Sequence, residues 1–152
     1  SNFTQLTALK VLNASHNTLY TIPENFHLLH SLEIGDLSYN KLSILPEKIW
    51  LLKRIKMLDL SNNQLRTLPE VTNQSTLQSL NLHNNQLINL PLGIEKCTSL
   101  QTLILSNNQF KEIPKAIFNL KNLKTLILSD NPIPKQQIEK LQKSNPSLTI
   151  LY

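Results

Sequence analysis

Leucine and isoleucine recur along the chain in a pattern that neither a helix nor a plain strand explains. The stretch LQSLNLHNNQLINLP, residues 77–91, opens with leucines spaced as LxxLxL, continues through Asn85 and ends on Pro91. A helix face needs apolar residues three and four apart, and a half-buried strand needs strict alternation. The stretch follows neither rule for long, so its pattern must come from something larger than one local element.

The same arrangement returns at a nearly fixed interval. Similar stretches begin at Leu9, Leu32, Ile55 and Leu100, and a shortened copy, LKTLILSDNPIP, begins at Leu123. One asparagine marks each copy, and successive asparagines are 22 or 23 residues apart: Asn17, Asn40, Asn63, Asn85, Asn108 and Asn131. Self-similarity with a period in the twenties predicts a solenoid, in which neighbouring coils cover one another.

Each repeat is predicted to contain a strand, a corner and a return leg. In LxxLxL the leucines point inward and the intervening residues point outward, because side chains alternate along a strand. The asparagine supplies an amide donor and acceptor for backbone groups that the corner leaves unpaired. A proline then starts the return leg. EKIWLL and KAIFNL predict short helical or 3-10 pieces whose inward residues are Ile49, Leu52, Ile117 and Leu120.

Three places depart from the repeat. The fourth return leg, EVTNQST, is one residue shorter and almost wholly polar, which predicts an irregular connection with Val71 inward. Gly35 and Ala14 replace larger inward residues in adjacent layers; repacking by neighbours is expected, with a local strand distortion as the alternative. In the C-terminal segment IPKQQIEKLQKSNPSLTILY, Ile138 and Leu141 lie one helical turn apart, followed by a final strand.

The sequence resembles the leucine-rich repeat family over nearly its whole length. It is most similar to the 23-residue subtype whose repeats close on Leu-Pro, found in intracellular scaffolds and in bacterial effectors delivered into host cells. The resemblance implies an α/β solenoid, a leucine-rich repeat arc with a parallel β-sheet on the concave face and short helical or 3-10 segments on the convex face. Residues 1–152 are expected to form a single domain. It would comprise a partial N-terminal repeat (1–8, with Phe3 and Leu6 matching Phe26 and Leu29), six repeats from 9 to about 133, and a cap helix and strand at about 134–152.

Composition fits this interpretation. The chain has 32 Leu and 14 Ile but one Trp and four Phe, which favours an aliphatic, layered core. No run of 18 apolar residues and no charged-then-apolar leader is present, so no membrane span is expected. Cys97 is the single cysteine and aligns with buried leucines, so an apolar role is expected.

Extracellular members of the family usually seal their ends with disulfides. The lone cysteine therefore predicts an intracellular (cytoplasmic) location, or host cytoplasm for a secreted bacterial effector. The three glycosylation sequons, at Asn2, Asn13 and Asn73, are about as many as this composition gives by chance, and they do not weigh against that prediction.

The candidate chemistry argues against an enzyme and predicts no cofactor. Two glycines in all leave no phosphate-binding loop of the usual kind. His27 and His30 lie three residues apart, but no Cys, Asp or Glu is spaced to complete a metal site, and none is predicted. The net charge of +5 is a reason to consider nucleic-acid binding. The excess lysines fall on the convex side and cap, interleaved with acids and without aromatics, which favours a solvated face and no nucleic-acid partner.

The concave sheet is the predicted contact surface. Val11, Ile34 and Met57 form one outward apolar strip, Ile104 and Ile127 form another, and Asp36 and Asp59 are expected to receive a lysine or arginine. Tyr39 adds an aromatic of the kind enriched at binding hot spots. The alternative is that β-branched residues simply favour strands. The predicted partner-binding residues are Val11, Asn13, His16, Ile34, Asp36, Tyr39, Met57, Asp59, Asn62, Asn81, His83, Ile104 and Ile127.

Protein–protein interaction through the concave face is therefore the predicted function, in an effector or a signalling scaffold. The alternative is a substrate-positioning region of a larger enzyme, such as a ubiquitin-ligase-type effector whose catalytic domain is not in this chain. Those effectors usually have shorter repeats of 20–22 residues, so the longer period counts mildly against that alternative.

Overall fold

Each LxxLxL segment forms a three-residue strand, and the strands stack in chain order. The computed structural model describes residues 5–152, which contain one seven-stranded parallel sheet. Equivalent residues of successive repeats lie opposite one another, as in Val11, Ile34 and Met57. The predicted α/β solenoid, with its sheet on the concave face, is confirmed. The strands are β1 (Val11–Asn13), β2 (Ile34–Asp36), β3 (Met57–Asp59), β4 (Ser79–Asn81), β5 (Thr102–Ile104), β6 (Thr125–Ile127) and β7 (Thr149–Leu151).

The inward leucines form the core in successive layers. Leu80 lies in register with Leu58 and Leu103, and all three are buried. The next inward leucines along the same strands, at Leu60, Leu82 and Leu105, are buried as well. Because adjacent coils stack at the strand spacing of about 4.8 Å, each leucine packs between the equivalent residues of its neighbours.

The return legs contain short 3-10 helices. Pro23, Pro46 and Pro114 immediately precede three of these helices, and their carbonyls accept the first hydrogen bonds, at 2.9–3.0 Å. The inward positions predicted at Ile49, Leu52, Ile117 and Leu120 are all buried. Within residues 5–152 the 3-10 helices span Glu24–Leu28, Glu47–Leu51, Ile94–Lys96 and Lys115–Asn119.

The fourth return leg is irregular, as predicted, and Val71 is buried in it. One of its polar residues nevertheless points inward. Gln74 occupies the position that holds a leucine in other repeats, and it too is buried. Its amide donates to the carbonyls of Trp50 and Leu52 at 3.2 Å, and its Oε1 accepts from the N–H of Thr76 at 2.9 Å. A fully bonded amide thus replaces a leucine without leaving a buried polar group unpaired.

Neighbouring side chains fill the space beside Gly35, in agreement with repacking. A Cβ added there would lie 3.3 Å from Leu58 Cδ1, which is tighter than an ordinary contact, and 3.7 Å from Leu32 Cδ2, which is an ordinary van der Waals contact. β2 keeps its regular register with both neighbours, so the structure gives no sign of the alternative strand distortion.

A helix and a strand cover the C-terminal end of the solenoid. α1 (Lys135–Ser144) buries Ile138 and Leu141, the two residues whose spacing predicted it, and β7 extends the sheet beyond β6. At the other end, the Leu9 N–H donates to the Leu6 carbonyl as the Leu32 N–H donates to Leu29. The side chain of Leu6 is nevertheless exposed, unlike that of Leu29, because it belongs to the first described layer. Asn2 and Phe3 lie outside the described residues.

The repeated asparagines hold neighbouring coils together. The Asn85 amide donates to the carbonyls of Leu60, one coil back, and Leu82, at 3.0 and 3.2 Å. Its Oδ1 accepts from the Leu65 N–H at 3.0 Å. The same set of bonds to the preceding coil recurs at Asn40, Asn63, Asn108 and Asn131. Each internal asparagine therefore pairs backbone groups of two coils at once.

Asn85→Ala is expected to lower the free energy of unfolding by about 1–3 kcal/mol, because buried backbone groups lose their partners. Asn17→Ala is the matched control. Asn17 is exposed and donates to Ala14 and Ser15 of its own repeat, so a loss below about 1 kcal/mol is expected. Denaturant titration measures both. Equal losses at the two positions would contradict the coil-linking role of Asn85.

Candidate functional site

The first outward column of the sheet presents three large apolar side chains to solvent. We call Val11, Ile34 and Met57 the apolar strip. They occupy equivalent positions of β1, β2 and β3, and they are 56%, 38% and 49% exposed. Strand alternation accounts for their position, because the leucines between and beside them point into the core. Further along the column come Ser79, Thr102 and Thr125, all partly buried.

The second outward column has carboxylates in β2 and β3, beside Ile34 and Met57, and Asn13 in β1. Asp36 Oδ1 accepts from the Ser38 N–H at 3.0 Å and its hydroxyl at 2.7 Å. Asp59 Oδ1 accepts from the Ser61 N–H at 2.8 Å, and its Oδ2 from the Asn81 amide at 2.9 Å. Sequence reasoning missed this bracing of the strand end. Asn13 and Asn81 make the equivalent bond to the N–H two residues on.

The corner after each strand is held in the left-handed backbone region. Six residues at equivalent positions have φ between 51° and 56°: His16, Tyr39, Asn62, Asn84, Asn107 and Asp130. Asparagine, aspartate and histidine adopt this conformation more readily than other non-glycine residues. Tyr39 is therefore the unusual member, and its ring is stacked on that of His16, with centroids 4.2 Å apart and planes 9° from parallel. The result is an aromatic pair at the N-terminal side of the face, with Tyr39 51% exposed.

Polar side chains further along the corner column are bonded to one another. The Asn84 amide donates to Asn62 Oδ1 and the Asn107 amide donates to Asn84 Oδ1, both at 2.8 Å. His83 lies one column away, and its Nδ1 is 2.8 Å from the Ser106 hydroxyl. These bonds fix the side chains in one arrangement.

The central part of the face is a shallow groove of about 330 Å³. It brings together six of the residues predicted from sequence: Ile34, Asp36, Met57, Asp59, Asn81 and Ile104. His16 and Tyr39 form their own pair, while the remaining predicted residues lie outside the groove lining: Val11, Asn13, Asn62, His83 and Ile127.

Comparison with family models agrees with this geometry. Two models described as Leucine rich repeat match the chain, one over residues 54–74 and the other over residues 75–133. Together they cover more than half of its length. The chain belongs to the leucine-rich repeat family. Leucine-rich repeats commonly mediate protein–protein interaction, and domains built from them are typically non-catalytic. Comparison with curated proteins gives no match.

Residues 5–152 contain no group of three or more His, Cys, Asp or Glu side chains close enough to hold an ion. His27 and His30 line a separate groove of about 340 Å³ with Trp50 and Lys53. Across the same range, no helix combines the length and the apolar character needed to cross a bilayer.

Cys97 is buried in the leucine-rich repeat core, as its alignment with leucines predicted. Burial, together with the nearby Glu95 carboxylate, raises the pKa of its thiol to about 12. A thiol with this pKa stays protonated at neutral pH and is a poor nucleophile.

Proposed function

We propose that this leucine-rich repeat domain binds a partner protein on its concave face. The apolar strip is the observation that carries the proposal, since three large apolar side chains stay exposed at adjacent positions of the sheet surface. Exposed apolar patches rimmed by polar groups are typical of contact surfaces. The polar second column, with the Tyr39–His16 pair beyond it, provides that rim on one side, and the ion pair of Glu33 and Lys56 provides it on the other.

The stiffness of the face supports binding without large ordering costs. Its backbone is fixed by the parallel sheet and by the asparagines that link the coils, and its polar corner residues are bonded to one another. A surface that is already ordered loses little conformational entropy on association.

Tyr39 gives a second, energetic reason for a binding role. A bulky L-residue in the left-handed region costs about 1–2 kcal/mol, and three of the other five corners hold asparagine instead. Residues in costly backbone conformations cluster at functional sites, so we assign Tyr39 to partner contact.

The type of protein and the compartment that we propose rest on the sequence. We propose that residues 1–152 act as one interaction domain of the 23-residue subtype, capped at about 134–152, in an intracellular scaffold or an effector that acts in host cytoplasm. Cys97 is the single cysteine and is buried, so it cannot form a disulfide with another cysteine of this sequence. This supports a reducing compartment, where structural disulfides are rare.

Tyr39→Ala is expected to weaken partner binding by about 1–3 kcal/mol with little change in stability, because an exposed ring supports little core. A partner captured with the wild-type protein and identified by mass spectrometry serves as the ligand in calorimetric titration. Lys140→Glu is the control, on the exposed side of α1, where a remote charge should change affinity by less than about 0.5 kcal/mol. Loss of binding in Lys140→Glu alone would place the partner on the cap and overturn the concave-face proposal.

A further inference from the structure

The apolar side chains of the concave face lie on a diagonal. In β1 to β3 the first outward column is apolar, with Val11, Ile34 and Met57. In β5, β6 and β7 the second column is apolar instead, with Ile104, Ile127 and Leu151, while the first holds threonines. Ile34, Met57 and Ile104 line one groove, so it joins the two apolar segments across Ser79 and Asn81 of β4. We propose that the occupant of this face is an amphipathic α-helix of about 20 residues carrying lysine or arginine along one side, an inference that rests on the proposed function.

The length of the diagonal sets the length of the occupant. From β1 to β7 there are six strand spacings of about 4.8 Å, or about 29 Å in all. The change of column shifts the diagonal by two residues along the strands, about 7 Å, which is a modest tilt. At 1.5 Å per residue, a helix of about 20 residues spans this distance. Apolar residues one turn apart on a helix are separated by about 5–6 Å, close to the strand spacing.

Backbone hydrogen bonding favours a helix over an extended segment. The backbone groups of β2 to β6 face neighbouring strands on both sides, so the sheet face offers no ladder for an added strand. The amides of Asn84 and Asn107, which could otherwise bond a peptide, donate to neighbouring asparagines. An extended segment crossing the strands would therefore lose hydrogen bonds to water without replacing them, whereas a helix satisfies its backbone internally.

Charge identifies one side of the helix. Asp36 and Asp59 lie opposite one another on paired strands and both line the groove beside the apolar strip. No lysine or arginine in residues 5–152 forms an ion pair with either. On the opposite side of the strip, Glu33 is already paired with Lys56 at 2.7 Å, and this bond holds the pKa of Glu33 below its ordinary value. The uncompensated negative charge thus lies on one side of the diagonal, where a basic side chain of the helix would meet it.

Selection from a display library of random peptides of about 20 residues tests the inference without a known partner. Peptides enriched on the wild-type protein are synthesised with a fluorescent label, and their affinities are measured by anisotropy. Met57→Asp and Ile104→Asp interrupt the two segments of the diagonal, and Leu92→Asp, at an exposed position outside the concave columns, is the control. Asp36→Asn with Asp59→Asn removes the charge while keeping an acceptor for each turn, since Asn13 and Asn81 make the same bond.

We expect enriched peptides with apolar residues three and four apart and a lysine or arginine beside them. Met57→Asp and Ile104→Asp should each weaken their binding by about tenfold or more, as should the paired aspartate substitutions, while Leu92→Asp should not. Peptides that depend on Met57 and Ile104 but alternate in the manner of a strand, or ignore the aspartates, would overturn the helix and leave the proposed function standing. Peptides indifferent to both apolar substitutions, or no enrichment over the Met57→Asp protein, would overturn the inference. The Tyr39→Ala titration decides the proposed function separately.

Discussion

Replacing Leu80 with alanine is expected to lower the free energy of unfolding by roughly 2–5 kcal/mol. Leu80 is fully buried at the middle strand of the sheet, in register with Leu58 and Leu103. The substitution removes apolar burial and leaves a cavity, because the adjacent coils are held at fixed spacing by the sheet and by Asn85. Neighbouring side chains therefore have little freedom to collapse into the space.

A matched substitution separates this effect from a general intolerance of alanine. Leu92 is 77% exposed, so Leu92→Ala makes the same chemical change with almost no loss of burial, and a change within about 0.5 kcal/mol is expected. Denaturant titration of the two variants gives both values on one scale. Similar midpoints for the two proteins would mean that the register of the repeats is wrong.

The period made most of the fold predictable. Once the asparagines are aligned, the same spacing that places Asn85 at a corner places Leu80 inside and Met57 outside, and the structure agrees at each. The cap was predictable for a separate reason, since Ile138 and Leu141 have helical spacing in a segment that has lost the repeat. Alternation and periodicity decide which way a side chain points, and they need no knowledge of its neighbours.

Features that depend on contacts between repeats were not predicted from the sequence. Gln74 appears polar and solvent-facing, yet it is buried because the carbonyls of Trp50 and Leu52 come within reach from the preceding coil. Gln74 aligns with Cys97, which is at an inward position of the next repeat. That alignment was the signal that could have identified Gln74 as buried. Trp50 is a second feature that the sequence did not predict. It is buried, and its Nε1 donates to the Pro69 carbonyl at 2.8 Å, whereas Phe118 at the equivalent position is exposed. The irregular fourth leg next to Trp50 creates that difference.

The candidate site was predictable in position but not in its bonding. Outward columns follow from alternation, so the apolar strip could be named residue by residue. The turn-bracing bonds of Asp36 and Asp59, and the stack between His16 and Tyr39, depend on rotamers and on the left-handed corner. The sequence pattern predicts neither the turn-bracing bonds nor the aromatic stack, because both depend on the local path of the chain after the strand ends.

Gly93→Ala is the other substitution with a large expected effect, a loss of about 2–4 kcal/mol in the free energy of unfolding. Gly93 has φ of 77°, in the left-handed region, and a Cβ added there would lie 2.1 Å from the carbonyl oxygen of Val71. That oxygen belongs to the irregular fourth leg, whose Val71 N–H donates to the Leu92 carbonyl at 2.8 Å. Alanine would have to separate two legs that this bond holds together, because backbone cannot rotate away as a side chain can.

Gly35→Ala provides the control, since Gly35 is the one other glycine of the chain. The nearest atom to its added Cβ is the end of the Leu58 side chain, at 3.3 Å, and its backbone is outside the left-handed region. A small rotation of Leu58 relieves that contact, and alanine also restricts the unfolded chain, so a change within about 1 kcal/mol is expected. Thermal and denaturant unfolding of both variants measures the difference. If Gly93→Ala proved as stable as Gly35→Ala, the close approach of the fourth and fifth return legs could not be a fixed feature of the fold.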